Sequence, residues 1–167
     1  MTEDNKANMG QLMAVVGTAL MLARGSELHT RYRVGIFVDR LWPSIPRGQY
    51  ALYTDKDSGK PVGFCNWSWI SQDVLAEYRE SSRPVLPADW DSGDVLFFQE
   101  MIAPFGHLNR ITRDVRNCIV PHATVAYALR GLVRQDSKDK RQQRLMKFTG
   151  HGKTDGKPDS IRNIRTI

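Results

Sequence analysis

Acid–base chemistry is the first activity that this sequence offers, through four histidines and one unusual carboxylate. The histidines are His29, His107, His122 and His151. Imidazole changes its protonation near neutral pH, so each is a candidate base, and the sequence alone does not rank them. Glu100 lies within an apolar run from Phe97 to Ile102. A buried carboxylate is costly without a partner, so Glu100 either pairs with a histidine or arginine or faces solvent by simple strand alternation.

The remaining reactive groups give weaker signals. Cys65 and Cys118 lie in apolar runs and are expected to be buried free thiols, since no Cys-x-x-Cys pair or zinc spacing accompanies them. The turn Pro104-Phe105-Gly106 joins a predicted strand to a predicted helix, where backbone N–H groups can bind an anion such as a phosphopantetheine phosphate. An ordinary loop is the simpler interpretation of that turn. The sequence has no Gly-x-Ser-x-Gly elbow and no nucleotide-binding glycine motif.

Four helices and five strands are predicted to hold these groups in place. Apolar residues at intervals of three and four predict helices over 10–24, 30–41, 72–81 and 107–119. Strand signals cover 49–54, 61–70, 95–103, 123–130 and 143–149. The first two strands form a predicted hairpin around the turn 55–59. This order predicts an α/β (α+β) fold with a mostly antiparallel central sheet flanked by helices.

Length and composition fit one globular domain. The chain has 167 residues, of which 41% are hydrophobic and 25% charged, enough to bury a core without disulfides or metals. We expect a flexible N-terminus over 1–9, a single domain over 10–150 and a basic, flexible tail over 151–167. The aromatic residues of the strands are expected mainly in the core, with the lining of an acyl channel as the alternative.

Positive charge is concentrated towards the C-terminal end. The net charge is +6, and residues 130–167 contain eleven Lys or Arg against four Asp, so the first 129 residues carry about −1. A basic strip predicts an acidic partner, either nucleic acid or an acidic carrier protein. The strip consists of Arg130, Arg134, Lys138, Lys140 and Arg141.

The apolar run from Leu12 to Ala23 is too short and too interrupted for a membrane span. It also lacks the positive leader of a secretory signal, since Glu3 and Asp4 precede it. We therefore expect an amphipathic helix in a cytoplasmic protein.

Five motifs identify a resemblance. Ser26-Glu27-Leu28-His29 is similar to Ser-Pro-Leu-His, residues 48–54 to Asn-Gln-Tyr-Ala-Leu-Leu-Thr, and residues 61–67 to Pro-Val-x-x-Cys-Ser-Trp. Residues 89–94 are similar to Asp-Trp-x-Ser-Gly-Asp, and residues 102–106 match Ile-Ala-Pro-Phe-Gly. In this order and spacing, over about residues 10–150, the chain resembles the toxin-activating lysine acyltransferases, which act on RTX protoxins.

The resemblance implies a fold similar to that of Gcn5-related acetyltransferases. It implies that the acyl donor is acyl-acyl carrier protein and not an acyl-coenzyme A. It also implies that no cofactor is permanently bound. It also implies fatty acylation of internal lysines of an RTX protoxin in the cytoplasm, and a homodimer. Nucleic acid and a membrane span are not implied.

The family's catalytic pair is a histidine and an aspartate, and the resemblance places them at His29 and Glu100. The glutamate is a departure, because the family has Asp-Trp before Ile-Ala-Pro-Phe-Gly where this chain has Glu100-Met101. We predict that His29 acts as general base and that Glu100 orients its ring. An acyl-enzyme through His29 is the rival path.

Further site residues are predicted for binding of the substrate or carrier. They are Ser26, Phe105, Gly106 and Arg130. Backbone N–H groups near a strand bulge or in the Phe105-Gly106 turn are candidates for the oxyanion site.

Three other functions stay open on the sequence. The glutamate substitution is compatible with a weakened homologue that only escorts its partner. A coenzyme A-dependent N-acyltransferase is the nearest enzymatic alternative, although the sequence lacks the Gln/Arg-x-x-Gly-x-Gly/Ala loop of that class. Charge alone suggests a nucleic-acid binder, which would show a steep salt dependence.

Overall fold

The computed structural model describes residues 3–81, 83–130, 144–150 and 163–167. The helices are α1 (Glu3–Arg24), α2 (Val34–Leu41), α3 (Gln72–Ser81) and α4 (Leu108–Asp114). The strands are β1 (Tyr50–Thr54), β2 (Pro61–Ile70), β3 (Val95–Ile102), β4 (Val125–Arg130), β5 (Arg144–Thr149) and β6 (Ile164–Thr166). None of the helices in these ranges has the length and apolarity that a bilayer crossing requires.

The strands form one mixed sheet in the order β5-β4-β3-β2-β1-β6. Three neighbouring pairs are antiparallel, namely β1–β2, β2–β3 and β4–β5. The pairs β3–β4 and β1–β6 are parallel. The predicted α/β class, the hairpin and the mostly antiparallel sheet are therefore confirmed.

Helices cover both faces of this sheet, as the predicted layers require. On one face, α1 and α2 pack on Phe64 and Ile102, and α3 packs farther along on Ile70 and Phe97. On the other face, α4 packs against the strand residues that alternate with these, such as Trp67. Most of the large aromatic residues of the strands are buried in the core, whereas Trp69 and Tyr127 are partly buried and Phe148 is 47% exposed.

A β-bulge at Gln99 breaks the alternation of β3. Asn66 of β2 pairs with Glu100, and the next residue of β2, Trp67, pairs with Phe98, so Gln99 is the extra residue. Simple alternation would place Glu100 on the α4 face together with Phe98. The bulge instead turns Gln99 and Glu100 towards the face that α1 and α2 cover, where Gln99 donates to Ser68 Oγ over 2.9 Å.

Regular secondary structure is present within both ends that were predicted to be flexible. Helix α1 begins at Glu3, although a loose segment was expected over 1–9. Its first turns are polar in sequence and so lack apolar periodicity, while acidic residues at the N-terminal end suit the helix dipole. Residues 163–167 were assigned to a flexible tail, and they contain β6 (Ile164–Thr166), which pairs with β1. Residues 151–162 lie outside the described part of the chain.

Two helix predictions also change in detail. The predicted helix 30–41 is divided, because Arg33 is extended and separates a 3-10 turn, His29–Arg31, from α2. The predicted helix 107–119 ends in a π turn, Val115–Ile119. Cys118 of that turn is exposed, which corrects the prediction that it is buried, whereas Cys65 is buried as expected.

Strand β6 is held by side chains as well as by its backbone. Arg165 donates to both carboxylate oxygens of Asp114, the second bond being 2.7 Å from Nη2 to Oδ1. Tyr53 Oη donates to Asp114 Oδ2 over 3.0 Å. Asn163 Nδ2 donates to the carbonyls of Gly48 and Tyr50. Burial acts to raise the pKa of Asp114, but the bonds from Arg165 and Tyr53 outweigh it and lower that pKa.

We expect Asp114→Asn to lower the free energy of unfolding by about 1–2 kcal/mol at pH 7, because a partly exposed charged pair is lost. The folded pKa of Asp114 is depressed, so its contribution is complete above the ordinary carboxyl pKa of about 3.9 and disappears as pH falls through the folded value. Urea unfolding at pH 7 and pH 3 measures this effect. The difference in free energy of unfolding between the variant and wild type should be smaller at pH 3 than at pH 7. The exposed Asp57→Asn is the control, and an equal difference at both pH values would contradict the assignment.

Candidate active site

His29 lies directly beyond the C-terminal end of α1. Helix α1 ends at Arg24, and Ser26 N donates to the Ala23 carbonyl over 2.9 Å as the chain turns away. Gly25 suits this turn because a Cβ there would lie only 3.2 Å from Pro104 Cβ. The turn delivers His29 to the sheet with 5% of its surface exposed.

A histidine–glutamate pair forms the centre of the site. His29 Nε2 lies 3.1 Å from Glu100 Oε2, and the two side chains are 3% and 4% exposed. The other ring nitrogen, Nδ1, lies 2.6 Å from Ser26 Oγ. The rings of Tyr32 and Phe37 contact the imidazole, with centroids 5.4 and 5.8 Å away. The predicted pairing of Glu100 with His29 is therefore present in the structure, on the buried face and not towards solvent.

Arg40 of α2 balances the charge of Glu100. Arg40 Nε lies 2.5 Å from Glu100 Oε1, an ion pair in which the N–H group is not aligned as a hydrogen bond requires. Its Nη2 donates to the carbonyl of Gln99 in the bulge over 3.1 Å. Its guanidinium also lies over the Tyr32 ring, 5.6 Å from the centroid. Arg40 thus holds both the carboxylate and the irregular backbone that presents it.

Asn66 anchors the bulge from the neighbouring strand. The backbone N–H of Glu100 donates to Asn66 Oδ1 over 2.9 Å. Asn66 Nδ2 donates to the Arg40 carbonyl over 2.8 Å and lies 3.1 Å from Ser44 Oγ. One buried amide therefore connects β2, the bulge of β3 and the end of α2, which satisfies polar groups that would be costly to bury unpaired.

These contacts determine which imidazole nitrogen can act as a base. An ionised carboxylate only accepts, so Glu100 accepts the Nε2–H of His29. In the neutral ring Nδ1 is then the acceptor, and it faces Ser26 Oγ–H. The order Ser26–His29–Glu100 matches the arrangement in which a base is oriented by a carboxylate and faces a hydroxyl. Ser26 is the most exposed of the three residues, so the network opens to the surface at its hydroxyl.

The other predicted site residues are not part of this network. Phe105 is 60% exposed, and Gly106 has a positive φ of 83°, which favours glycine at this turn. Arg130 ends β4, and its side chain lies outside the described part, as do Arg134, Lys138, Lys140 and Arg141. The predicted anion and oxyanion roles of the turn stay predictions.

The remaining histidines and cysteines have other surroundings. His107 precedes α4, and His122 stacks on Trp69 on the opposite face of the sheet from Glu100. His151 lies outside the described residues. Burial raises the pKa of the Cys65 thiol to about 12, so this cysteine is not a thiolate near neutral pH. Burial, with a smaller effect of Glu100, also raises the pKa of Tyr32. In the described ranges no cluster of three or more His, Cys, Asp or Glu could hold a metal ion.

Arg40 and Asn66 were missed from the sequence. The requirement for a partner of a buried carboxylate did point to an arginine, but six other arginines precede Glu100 in the chain. Asn66 carries a signal of the same kind, because it is a polar residue inside a buried strand and must have hydrogen-bond partners.

Comparison with known proteins shows the family of the chain. A model of the RTX toxin acyltransferase family matches residues 8–149, which include the whole network. This chain belongs to the RTX toxin acyltransferase family. The lysine-acyltransferase RtxC of Vibrio cholerae is 35% identical over 108 residues, 65% of this chain and 70% of that protein. The protein-lysine myristoyltransferase HlyC of Escherichia coli is 32% identical over 109 residues, 65% of this chain and 63% of that protein.

A third relative extends this pattern. The leukotoxin-activating lysine-acyltransferase LtxC of Aggregatibacter actinomycetemcomitans is 33% identical over 93 residues, 56% of this chain and 54% of that protein. The family resemblance read from the five motifs is confirmed, and the chain is an acyltransferase. The network of Ser26, His29, Glu100 and Arg40 is the candidate site for that activity within the RTX toxin acyltransferase fold.

We expect Arg40→Met to lower the free energy of unfolding by about 2–4 kcal/mol, because it leaves the buried charge of Glu100 unpaired. Chemical unfolding monitored by tryptophan fluorescence measures the change. The matched control is Arg31→Met, whose ion pair with Glu27 is exposed and should contribute less than about 1 kcal/mol.

A double variant, Arg40→Met with Glu100→Gln, should recover part of the loss, since neither buried charge is then present. If the double variant loses as much stability as the two single variants together, the ion pair is contradicted.

Proposed function

We propose that this acyltransferase transfers a fatty acyl group from an acyl carrier protein thioester to internal lysines of an RTX protoxin, in the cytoplasm. The Ser26–His29–Glu100–Arg40 network carries the proposal, because it supplies an oriented base beside a partly exposed hydroxyl. The names of the relatives support it, since they describe lysine acyltransferases and, for one, a myristoyltransferase. The donor brings its own phosphopantetheine thioester, so no resident cofactor is required. A homodimer is the expected assembly.

The proposed reaction begins with the acceptor lysine, whose ε-ammonium has a reference pKa of about 10.4 and must lose a proton to solvent before it attacks. The neutral amine attacks the thioester carbonyl, and the new C–N bond leaves an extra proton on nitrogen. Ser26 Oγ passes this proton to His29 Nδ1, and Glu100 stabilises the imidazolium. The C–S bond then breaks, and the imidazolium returns the proton to the leaving thiolate. Protons and charges balance over the cycle.

The sheet offers an entry for the donor next to the bulge. In the described part of the chain, pairing between β3 and β4 ends at Phe98 and Ala128, although β3 continues to Ile102 and β4 to Arg130. The two strands therefore part beside Glu100. An extended pantetheine arm fits such a gap, where main-chain N–H groups of a strand can donate to a developing oxyanion.

Exposed arginines surround the segment that carries His29. Arg24 and Arg33 are exposed, and the half-exposed Arg31 forms an ion pair with Glu27, so the segment keeps a net positive charge. A basic rim of this kind suits an acidic carrier protein, because opposite charges accelerate encounter and fix orientation. These residues add to the predicted basic strip, most of which lies outside the described ranges.

We expect a protoxin fragment incubated with this protein and myristoyl-loaded carrier protein to gain the mass of a myristoyl group on lysine, as read by intact-mass and peptide mass spectrometry. His29→Ala should reduce the rate about 10²–10⁴-fold, since it removes the general base. The control is His122→Gln, on the opposite face of the sheet. Wild-type rates in His29→Ala would refute the assignment, and no mass gain from folded wild type that still binds carrier protein would favour an escort role.

Ser26→Ala tests the proton path separately. We expect a rate loss of about 10–100-fold without a change in fold, because water can take over part of the relay. Mass spectrometry of the enzyme with acyl carrier protein and no acceptor should show unmodified enzyme. An acyl adduct on Ser26 or His29 would replace direct transfer with an acyl-enzyme path.

A further inference from the structure

A second concave surface lies beside the network and is not explained by it. It is an open groove of about 740 Å³ between α1, the β1–β2 turn and the loop after β3. The lining residues are Ala14, Gly17, Thr18, Met21, Leu22, Asp55, Ser58, Lys60, Pro61, Val62 and Phe105. His29 and Glu100 do not line it, so it is a surface distinct from the reacting groups.

The two chain segments that carry the catalytic pair also form the walls of this groove. Leu22 lies in the last turns of α1, whose end leads directly to His29. Phe105 lies five residues beyond Glu100, past the end of β3. The two walls approach each other where Gly25 lies against Pro104, which directly precedes Phe105 in the chain. The Leu22 and Phe105 end of the groove is therefore the end from which the chain leads to His29 and Glu100.

The groove is lined mainly by apolar residues and is open to solvent. Met21 and Phe105 at its edges are 66% and 60% exposed. Contiguous exposed apolar surface of this kind marks binding sites in soluble proteins. Its charged members, Asp55 and Lys60, belong to the β1–β2 turn on one side. Above Gly17 the groove is empty, since a Cβ added there would meet no atom within 4 Å.

We propose that this groove binds the hydrocarbon chain of the acyl donor, with the thioester at the His29 end and the methyl end towards Ala14. This inference rests on the proposed function and gives the hydrocarbon chain of the donor a binding site within it. From Leu22 to Ala14, α1 rises about 12 Å. A long acyl chain extends along this distance, whereas a short one occupies only the end near His29. Pockets of about 300–1,000 Å³ are the usual size for small ligands.

The apolar lining suits this occupant better than a segment of the acceptor protein. A saturated chain has no polar groups, and the α1 and Phe105 walls offer almost none to satisfy. A polypeptide segment would bring backbone donors and acceptors that such walls leave unpaired. Each methylene buried by the groove should strengthen binding about fourfold.

The test compares two substitutions on the same helix. Gly17→Leu fills the groove, whereas Gly10→Leu places the same side chain on an exposed part of α1 outside the lining, also with no atom within 4 Å of its Cβ. Both changes raise helix propensity by about the same amount, so stability effects match. Transfer to the protoxin fragment is measured with myristoyl- and butyryl-loaded carrier protein for wild type and both variants.

We expect Gly17→Leu to lower kcat/KM at least tenfold with the myristoyl donor and less than twofold with the butyryl donor, while Gly10→Leu changes neither. Equal effects on both donors, or no effect, would overturn the proposal. A higher KM for the protoxin with unchanged donor preference would instead assign the groove to the acceptor protein, and would also overturn it.

Binding of a fluorescent fatty acid, parinaric acid, gives a readout that does not need transfer. Wild type and Gly10→Leu should bind it at least tenfold more tightly than Gly17→Leu. If wild type transfers no acyl group but this difference in binding is seen, the proposed function fails and the groove assignment stands. If all three proteins bind the probe equally, the groove assignment fails.

Discussion

The bulge at Gln99 is the feature on which the active site depends. It turns two consecutive polar side chains of a buried strand towards the same face, which regular pleating does not allow. Glu100 thereby meets a histidine that the end of α1 delivers from the other side. Without the extra residue, the carboxylate would be buried against the α4 face among apolar side chains. The irregular strand, the division of the second predicted helix and the turn at Gly25 serve the same contact.

Burying this contact requires a balance of charge and hydrogen bonds. Arg40 contacts one carboxylate oxygen of Glu100 and His29 contacts the other, while Asn66 accepts a hydrogen bond from the backbone N–H of Glu100. The carboxylate is therefore supported from α2, from the His29 turn and from β2. The glutamate side chain reaches from the bulged strand to both His29 and Arg40.

Much of the fold was predictable because it depends on local periodicity. Helix α3 and strands β2 and β5 came out at or within one residue of their predicted bounds, since apolar spacing and turn residues mark them. Glu100 was predictable as a residue in need of a partner, and the motif around His29 supplied that partner. The bulge, Arg40 and Asn66 were not, because they depend on contacts between residues distant in sequence. Strand β6 was missed for a similar reason, since three residues show no periodicity and its described partners, β1 and Asp114, lie far away in the chain.

The position of β6 in the sheet has a consequence for how the chain folds during synthesis. Its partner β1 is made more than a hundred residues earlier, and Leu52 pairs with Ile164. The hairpin, the bulged strand and α4 all leave the ribosome while the outer edge of β1 still presents unpaired backbone groups. Such an edge is a template for pairing with other chains. The nascent protein is therefore open to association through β1 until β6 pairs with it, a period that ends when Arg165 reaches Asp114.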